Sequence, residues 1–383
     1  MTTERRPKIA YITPYGTGNI GTALQAYATQ ALLDQAGYDN DLIDYIWKPI
    51  QNPFRLENLR RRGLATYVAA IVGYLTRLPR MGPYNRFLTR IRKTRRMEKN
   101  ELPQLNGEYD FFIAGSDCIW NSVLFGIESA YFLDFVRDDF RKGNYASSFA
   151  MREIPERDRP AFQTYLTAFP MLSAREDSGQ AIIRSLTGRD AALVLDPTLA
   201  LPASFWSNVA RESRLRIHKP YLFVAEYARS KKMWEDAEAL AAQNGWEIVS
   251  PFPAKGKRAK ARVFLSASPQ DYLNLIEHAE FVLSDSYHMT IFAINFGRPF
   301  LTYIANIAAS TTSKYESILR VLGIENRISY VNSEKHATLD VCALAPLDYA
   351  AINEKLEEAR AASRGYIANM LRAFEETIVG SGE

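Results

Sequence analysis

Short apolar runs that alternate with helical segments are the feature that most constrains the fold of this chain. Lys8–Thr13 predicts a buried strand, and Tyr221–Ala225 predicts another strand that opens a second series. Each run is followed by a helical segment, which we predict over Ala23–Gln35 in the first series and over Trp234–Asn244 in the second. Strands that alternate with helices favour parallel sheets covered by helices on both faces. We therefore expect an α/β chain with doubly wound sheets.

The length of the chain predicts two such domains. A chain of 383 residues is longer than one typical domain. We expect an N-terminal Rossmann-like domain over 1–198 and a C-terminal Rossmann-like domain over 199–345, with a cleft between them. The segment 346–383 is rich in Ala, Glu, Arg and Leu, and it predicts a long helix that packs back toward the first domain.

The first residues, the lengths of the apolar runs and the cysteines indicate the cellular compartment that we expect for this chain. Residues 1–7 are polar and lead directly into a strand, and no apolar run approaches the ~20 residues of a spanning helix. We expect neither a signal peptide nor a membrane-spanning helix. Cys118 and Cys342 are far apart and form no metal pattern, so a reducing cytoplasm without a bound metal is the simplest expectation.

Residues 55–96 form a strongly basic insert. The segment holds twelve Arg and Lys residues against the single acidic Glu57. It also contains the apolar stretch 63–75, which is too short to span a bilayer but suits a helix that lies at a membrane surface. The alternatives are a core helix with a solvated basic flank and a nucleic-acid surface. We favour contact with the inner membrane face, and nothing here resembles a nucleic-acid module.

A glycine-rich loop follows the first strand. Gly16-Thr17-Gly18-Asn19-Ile20-Gly21 has the G-x-G-x-x-G spacing, opens a helix, and is followed by Asp44 after the next apolar run. This context is typical of a dinucleotide site, so an NAD-dependent enzyme is one hypothesis. Pro14 and Tyr15 lengthen the turn, and such loops also bind phosphates and sugars of other kinds.

The segment Ser284–Phe292 places a histidine in a position suited to chemistry. It follows the apolar run Phe281–Leu283 and precedes a helical stretch, so His288 is expected near a helix N-terminus. Unpaired backbone N–H groups and the helix dipole favour anions at that place.

Five motifs in a fixed order resemble the polysaccharide pyruvyl transferase family. The resemblance extends from about residue 8 to residue 330. The motifs are Gly21-Thr22-Ala23-Leu24-Gln25-Ala26-Tyr27-Ala28 after the glycine loop, Ala114-Gly115-Ser116-Asp117-Cys118-Ile119-Trp120-Asn121, Leu172-Ser173-Ala174-Arg175-Glu176, Leu195-Asp196-Pro197-Thr198-Leu199, and Ser284-Asp285-Ser286-Tyr287-His288.

This resemblance implies both a fold and a reaction. The fold would be similar to that of the GT-B glycosyltransferases, with two Rossmann-like domains facing a central cleft. Phosphoenolpyruvate would donate a pyruvyl group to hydroxyls of a sugar, forming a ketal and releasing phosphate. No metal or nicotinamide would be needed. The acceptor would be a cell-surface polysaccharide or its precursor, free or linked to a polyprenyl diphosphate.

The family resemblance assigns the donor to cationic and polar side chains. Arg175 matches a donor-binding position of the family. This role suits an arginine, because a guanidinium holds a carboxylate or phosphate in paired hydrogen bonds. The alternative for Arg175 is a structural ion pair with Glu176 or Asp177. His288 matches the family histidine and suits proton transfer near neutral pH or a phosphate contact. Its alternative is a core or capping histidine.

One residue of the donor site departs from the family. Some members have Arg-Leu-His where this chain has Ser286-Tyr287-His288, so a cation is missing at Ser286. We include Ser286 and Tyr287 in the donor site and propose Lys314 as a phosphate contact, against a solvated lysine at a helix start.

The acceptor is expected at the first domain, near Gly18, Asn19, Gly21 and Thr22 of the glycine loop. Asp117 follows an apolar strand, so it is expected at the strand end where ligands meet α/β sheets. It is a candidate base toward the acceptor hydroxyl or a cap of the next helix. Trp120 could stack on a sugar or pack in the core.

Two further hypotheses remain open beside the pyruvyltransferase. The same fold would support a glycosyltransferase that uses a nucleotide sugar, since fold alone does not decide function. The missing arginine also leaves open a binding relative without activity.

Overall fold

A computed structural model of the chain describes residues 7–45, 78–227, 230–252, 260–304, 312–331 and 339–380. Most of the basic insert, including the apolar stretch 63–75, lies outside the described residues, so its predicted membrane contact stays a prediction. The chain divides into two compact units. Unit 1 takes in Met1–Leu75, Leu88–Ala200 and Glu358–Glu383, and unit 2 takes in Thr76–Phe87 and Leu201–Glu357.

Unit 1 is built on a parallel sheet with the strand order β2-β1-β3-β4. A separate parallel pair is formed by β5 and β6. The strands are β1 (Lys8–Ile12), β2 (Asp39–Leu42), β3 (Phe111–Ala114), β4 (Lys142–Asn144), β5 (Ser173–Ala174) and β6 (Ala192–Leu193).

Helices follow the strands of unit 1 in turn. The first of them begins at Ile20, where Asn19 serves as N-cap, and it ends at Gln35. The helices of this part of the chain are α1 (Ile20–Gln35), α2 (Leu78–Leu88), α3 (Ser122–Phe125), α4 (Arg159–Thr167), α5 (Asp177–Thr187) and α6 (Pro197–Ala200). Nearly all of α2 belongs to unit 2.

Unit 2 contains a larger parallel sheet with the order β12-β11-β10-β7-β8-β9. The strands are β7 (Tyr221–Ala225), β8 (Glu247–Ser250), β9 (Ala261–Val263), β10 (Phe281–Ser284), β11 (Phe300–Ile304) and β12 (Ile328–Tyr330). The helices are α7 (Ala203–Ala210), α8 (Lys231–Asn244), α9 (Pro269–Glu277), α10 (Tyr287–Asn295) and α11 (Ser313–Leu322). The last helix, α12 (Tyr349–Gly380), begins in unit 2 and belongs to unit 1 from Glu358 onward. Within unit 2 this is the doubly wound order of a Rossmann sheet, in which the chain starts at the centre and winds outward in both directions.

The long C-terminal helix α12 contacts the sheet of unit 1 with its second half. The Phe374 ring stacks on Phe111 of β3 with the centroids 4.3 Å apart. A Cβ added at Gly143 of β4 would lie only 2.7 Å from the Met370 sulfur and 2.8 Å from the Phe374 ring, so this strand needs glycine there. The Ser363 hydroxyl accepts a hydrogen bond from the Leu195 N–H at 2.9 Å.

The prediction of an α/β chain with two Rossmann-like units and a long C-terminal helix is confirmed. Three details differ from the sequence expectation. The run Leu42–Tyr45 predicts the second strand, whereas β2 spans Asp39–Leu42, so Asp44 lies beyond its end. The run Asn144–Phe149 predicts a strand, whereas β4 spans Lys142–Asn144. Residues 78–87, which we expected in the first domain, fall in unit 2, where Arg80 donates to the Tyr272 hydroxyl of α9. Among the described helices, none combines the length and hydropathy that a bilayer crossing requires.

Candidate functional site

The Ser-Asp-Ser-Tyr-His motif lies at the centre of the unit 2 sheet. The strand order of this sheet reverses between β7 and β10. Ligands of doubly wound sheets bind at such a reversal, outside the carboxyl ends of the strands. Ser284 ends β10, and its hydroxyl donates to the Ala225 carbonyl at the end of β7, at 3.0 Å. Asp285 Oδ1 accepts from the Tyr227 N–H at 2.7 Å. These bonds fix the motif at the switch point.

The first turn of α10 presents backbone N–H groups at this edge. Ser286 is the N-cap in an extended conformation, and its side chain makes no capping hydrogen bond. Its own N–H donates to the Ser284 hydroxyl at 3.0 Å, and its carbonyl accepts from the Thr290 hydroxyl at 3.0 Å. The backbone of Ser286 therefore shapes the turn into the helix. The N–H groups of the first turn point out of the helix, where an anion is stabilised.

His288 and Lys314 come together with two tyrosine rings. His288 is 6% exposed, and its ring meets Tyr287 edge-on with the centroids 5.6 Å apart. Tyr287 in turn meets Tyr315 edge-on at 5.6 Å. The Lys314 ammonium lies 5.5 Å from the Tyr287 ring centroid and 5.6 Å from that of Tyr315. These cation–π contacts hold the Lys314 ammonium beside the motif.

Sequence reasoning missed two residues at this edge. The Tyr315 hydroxyl donates to the Asp285 carbonyl at 2.9 Å and links α11 to the motif. Glu226 follows β7 directly and is 8% exposed, with one carboxylate oxygen accepting from the Trp234 indole N–H at 2.8 Å. Its other oxygen makes no hydrogen bond within the described part of the chain. The only sequence signal for Glu226 was an acidic residue placed directly after an apolar strand.

The glycine loop occupies the corresponding switch point of unit 1, between β1 and β3. Gly16 and Gly18 have φ angles of 75° and 73°, in the left-handed region that favours glycine. Asn19 Oδ1 accepts from the Gly21 N–H at 2.9 Å, and the Thr22 hydroxyl donates to the Asn19 carbonyl at 2.8 Å. The loop therefore caps α1 with its own side chains. The Gly21 N–H, which a pyrophosphate would use in a dinucleotide site, is already bonded to Asn19.

Three of the sequence motifs meet in a buried network at the end of β3. Arg175 is 3% exposed, and its Nη1 lies 2.5 Å from Asp196 Oδ2. Its Nη2 lies 4.0 Å from Asp117 Oδ1, and its Nε lies 3.9 Å from Glu176 Oε2. Asp196 Oδ1 also accepts from the Thr198 N–H and hydroxyl at 2.9 and 2.6 Å. In this structure the guanidinium is bound to Asp196, a partner that neither alternative for Arg175 anticipated, and its donor role stays a prediction.

Asp117 adopts a left-handed backbone with φ 73°. Its Oδ1 accepts from the Cys118 N–H at 2.8 Å, and its carbonyl accepts from the N–H groups of Ile119 and Ser148. Asp117 does not cap α3, which begins five residues later at Ser122. The residue instead turns the chain at the carboxyl end of β3. Strained backbone of this kind is common at functional sites. Its role as a base stays a prediction.

Trp120 lies in the core of unit 1. It is 1% exposed, stacks on Phe132 with an interplanar angle of 6°, and donates its indole N–H to the Tyr131 carbonyl at 3.2 Å. Cys118 is buried, and its Sγ accepts from Arg175 Nη2 at 3.9 Å. This geometry favours core packing of Trp120 over stacking on a sugar.

The structure thus groups the predicted residues in two clusters. Ser286, Tyr287, His288 and Lys314 share the carboxyl edge of the unit 2 sheet. Asp117, Arg175 and the glycine loop belong to the carboxyl edge of the unit 1 sheet. In the part of the chain that the structure describes, no three His, Cys, Asp or Glu side chains form a group that could hold a metal ion.

Comparison with known proteins identifies the family. The sequence model of the family "Polysaccharide pyruvyl transferase" matches residues 19–306. This range is well over half of the chain, and the chain belongs to that family. No curated protein sequence matches the chain.

Several solved structures are distantly similar over nearly the full length. UDP-N-acetylglucosamine 2-epimerase from Rickettsia bellii is 11% identical, with a TM-score of 0.49 over 98% of each chain. UDP-GlcNAc 2-epimerase from Neisseria meningitidis is 10% identical, with a TM-score of 0.47 over 97% of this chain and 100% of that chain. ADP-heptose lps heptosyltransferase II from E. coli is 12% identical, with a TM-score of 0.37 over 92% of this chain and 99% of that chain. These likenesses are too distant to indicate what this chain binds.

Proposed function

We propose that this member of the polysaccharide pyruvyl transferase family transfers a pyruvyl group from phosphoenolpyruvate to two hydroxyls of a sugar. The observation that carries the proposal is the position of His288, in the first turn of a helix that opens at the switch point of the unit 2 sheet. Family membership supplies the transfer of a pyruvyl group to a polysaccharide. Phosphoenolpyruvate as donor and the ketal product are our inference.

The reaction needs two proton movements that one histidine can serve. One sugar hydroxyl attacks C2 of phosphoenolpyruvate while C3 accepts a proton and becomes a methyl group. A second hydroxyl then attacks C2, the bond from C2 to the phosphate oxygen breaks, and phosphate leaves with the second hydroxyl proton. Both hydroxyl protons are thereby used, and no oxidant or reductant is required. A histidine can accept each hydroxyl proton in turn and pass it on, the first to C3 and the second to the departing phosphate.

The charge at the unit 2 edge suits a dianionic or trianionic donor. Lys314 provides an ammonium at Tyr287, and the N-terminus of α10 provides backbone N–H groups and the positive end of a dipole. The aromatic rings of Tyr287 and Tyr315 lie beside the ammonium. An apolar neighbour lowers the local dielectric constant and thereby strengthens the attraction between the ammonium and an anion. We assign Ser286, Tyr287, His288 and Lys314 to the donor.

We assign the acceptor to unit 1, at the glycine loop with Gly18, Asn19, Gly21 and Thr22, with Asp117 as a candidate base. The acceptor is a cell-surface polysaccharide or its precursor, free or linked to a polyprenyl diphosphate. The basic excess of residues 55–96 supports contact with an anionic membrane surface on the cytoplasmic side, because such surfaces attract clustered Lys and Arg.

The test compares histidine variants in a phosphate-release assay with phosphoenolpyruvate and a panel of pyruvylatable glycans. His288→Gln should lower kcat by about 10²- to 10⁴-fold, the usual contribution of a general acid–base group. His278→Gln is the matched control, because His278 lies in the same unit with 61% of its side chain exposed. Turnover of a nucleotide sugar or of NAD, with none of phosphoenolpyruvate, would refute the proposal in favour of the competing hypotheses.

A further inference from the structure

Arg80 is a buried arginine of the basic insert that enters unit 2. It lies in α2 and is 4% exposed. Its Nη1 donates to the Tyr272 hydroxyl at 3.2 Å, and its guanidinium carbon lies 5.0 Å from the centroid of the Phe252 ring. Burial raises the pKa of the Tyr272 hydroxyl, and the charge of Arg80 opposes that rise.

Within the described part of the chain, the charge of Arg80 has no counter-ion. Among the residues that the structure describes, no carboxylate oxygen lies within the 4.0 Å of an ion pair, and Nε makes no hydrogen bond. The buried Glu226 carboxylate of the same unit does not pair with it either. A guanidinium removed from water with only one neutral hydrogen-bond partner is unfavourable unless an anion compensates it. A protein can retain such an unfavourable group when its ligand supplies the anion that compensates the charge.

Arg80 lies at the same sheet edge as the motif. Its contact Phe252 is two residues past the end of β8, and the motif starts at the end of β10. These strands are parallel, and β7 alone separates them in the sheet. Two strand spacings place the end of β8 about 10 Å from the end of β10. We take Arg80, which contacts Phe252 just beyond β8, to be within reach of one ligand that spans the switch point. Lys314 lies on α11, which follows β11 on the other side of β10.

We propose that Arg80 is the cation that replaces the arginine missing at Ser286, and that it binds an anionic group of the donor. This inference rests on the proposed function, because it takes phosphoenolpyruvate as the donor. Phosphoenolpyruvate carries a carboxylate and a phosphate, and the switch point carries one cation on each side, Arg80 and Lys314. A guanidinium can bind either anion through two parallel hydrogen bonds. We assign one of them to the Nε–H, which is buried and makes no hydrogen bond in the described part of the chain.

The experiment measures the binding of phosphoenolpyruvate and of inorganic phosphate by titration calorimetry, with thermal unfolding of the ligand-free protein alongside. Arg80→Met retains the packing on Phe252 and removes the charge. It should weaken phosphoenolpyruvate binding by about tenfold to hundredfold, the value of a charged hydrogen-bonded contact. The Tm of the ligand-free variant should equal or exceed that of the wild type, because an uncompensated buried charge is gone.

Arg86→Gln is the matched control, because Arg86 carries the same charge on the same helix and is exposed. It should leave binding unchanged. Arg80→Lys should recover part of the affinity, since an ammonium keeps the charge without the paired geometry.

Two outcomes separate this inference from the proposed function. If the wild type and Arg80→Met bind phosphoenolpyruvate equally, the role of Arg80 is refuted and the proposed donor stands. If the wild type binds inorganic phosphate through Arg80 but does not bind phosphoenolpyruvate, the proposed donor is refuted and Arg80 stands as an anion-binding residue. A fall in the Tm of ligand-free Arg80→Met together with unchanged binding would identify Arg80 as structural and overturn the inference.

Discussion

The ion pair between Arg175 and Asp196 should be a main stabilising contact of unit 1. Asp196 Oδ2 lies 2.5 Å from Arg175 Nη1, and the two side chains are 1% and 0% exposed. Removing one partner of a buried pair leaves an uncompensated charge and costs about 3–5 kcal/mol. Asp117 and Glu176 lie 4.0 and 3.9 Å from the same guanidinium, so part of its charge stays compensated. We therefore expect Asp196→Asn to lower the free energy of unfolding by about 3 kcal/mol, at the lower end of that range.

The assay is urea unfolding of four proteins in a double-mutant cycle. The cycle combines Asp196→Asn and Arg175→Met, singly and together. The double variant should be more stable than the sum of the single effects predicts, with a coupling energy of about 2–3 kcal/mol, because both buried charges are removed together. Arg184→Met with Asp190→Asn is the control cycle, since that pair is exposed and should show no measurable coupling.

Additive effects would refute this reasoning. If the coupling energy of the Arg175 and Asp196 cycle is below about 0.5 kcal/mol, the two side chains do not depend on each other. Arg175 would then be held by other contacts, and its predicted role in binding the donor would become easier to maintain. A large coupling would mean that Arg175 stabilises unit 1 through Asp196, whether or not it also binds the donor.

Three further predictions concern packing and the basic insert. Gly143→Val should lower the free energy of unfolding by about 1–3 kcal/mol, because its side chain would overlap Met370 and Phe374 of α12. Gly107→Val is the control and should not lower it, because Gly107 is exposed and has open space around it. Urea unfolding measures both variants. Trp120→Ala should cost about 3–5 kcal/mol in unfolding free energy and leave the KM for the acceptor unchanged in the surviving folded protein, and a raised KM with normal stability would restore its sugar-stacking role. Reversing the charge of Arg60, Arg61 and Arg62 to Glu should reduce sedimentation with anionic vesicles and leave binding to neutral vesicles unchanged, and equal sedimentation of both proteins with anionic vesicles would contradict the proposed membrane contact.

Local patterns predicted the elements of the fold well and its long-range contacts poorly. The run Tyr221–Ala225 predicted β7 with the observed bounds, and the composition of the last segment predicted α12, because apolar runs and helix-forming residues act within a few positions. The end of β4 was predicted less well, since β4 pairs along only three residues, Lys142–Asn144, before the chain turns.

The candidate site shows the same division. The motif order indicated the family and placed His288 at a helix N-terminus, as the structure has it. The sequence did not indicate that Arg80 contacts Tyr272, which lies 192 positions further along the chain. It also did not indicate that Asp196 is the partner of Arg175. Both pairings depend on how strands and helices assemble, and no local periodicity encodes them.

The switch point of unit 2 as the phosphoenolpyruvate site is the central claim, and hydrogen–deuterium exchange with this ligand tests it most directly. Saturating phosphoenolpyruvate should slow amide exchange in residues 284–292, where the N–H groups of the first turn of α10 would bind its anionic groups. NAD and nucleotide sugars should leave that segment unchanged. Protection by phosphoenolpyruvate confined to the glycine loop at 16–22, or protection of 284–292 by a nucleotide sugar alone, would contradict the account.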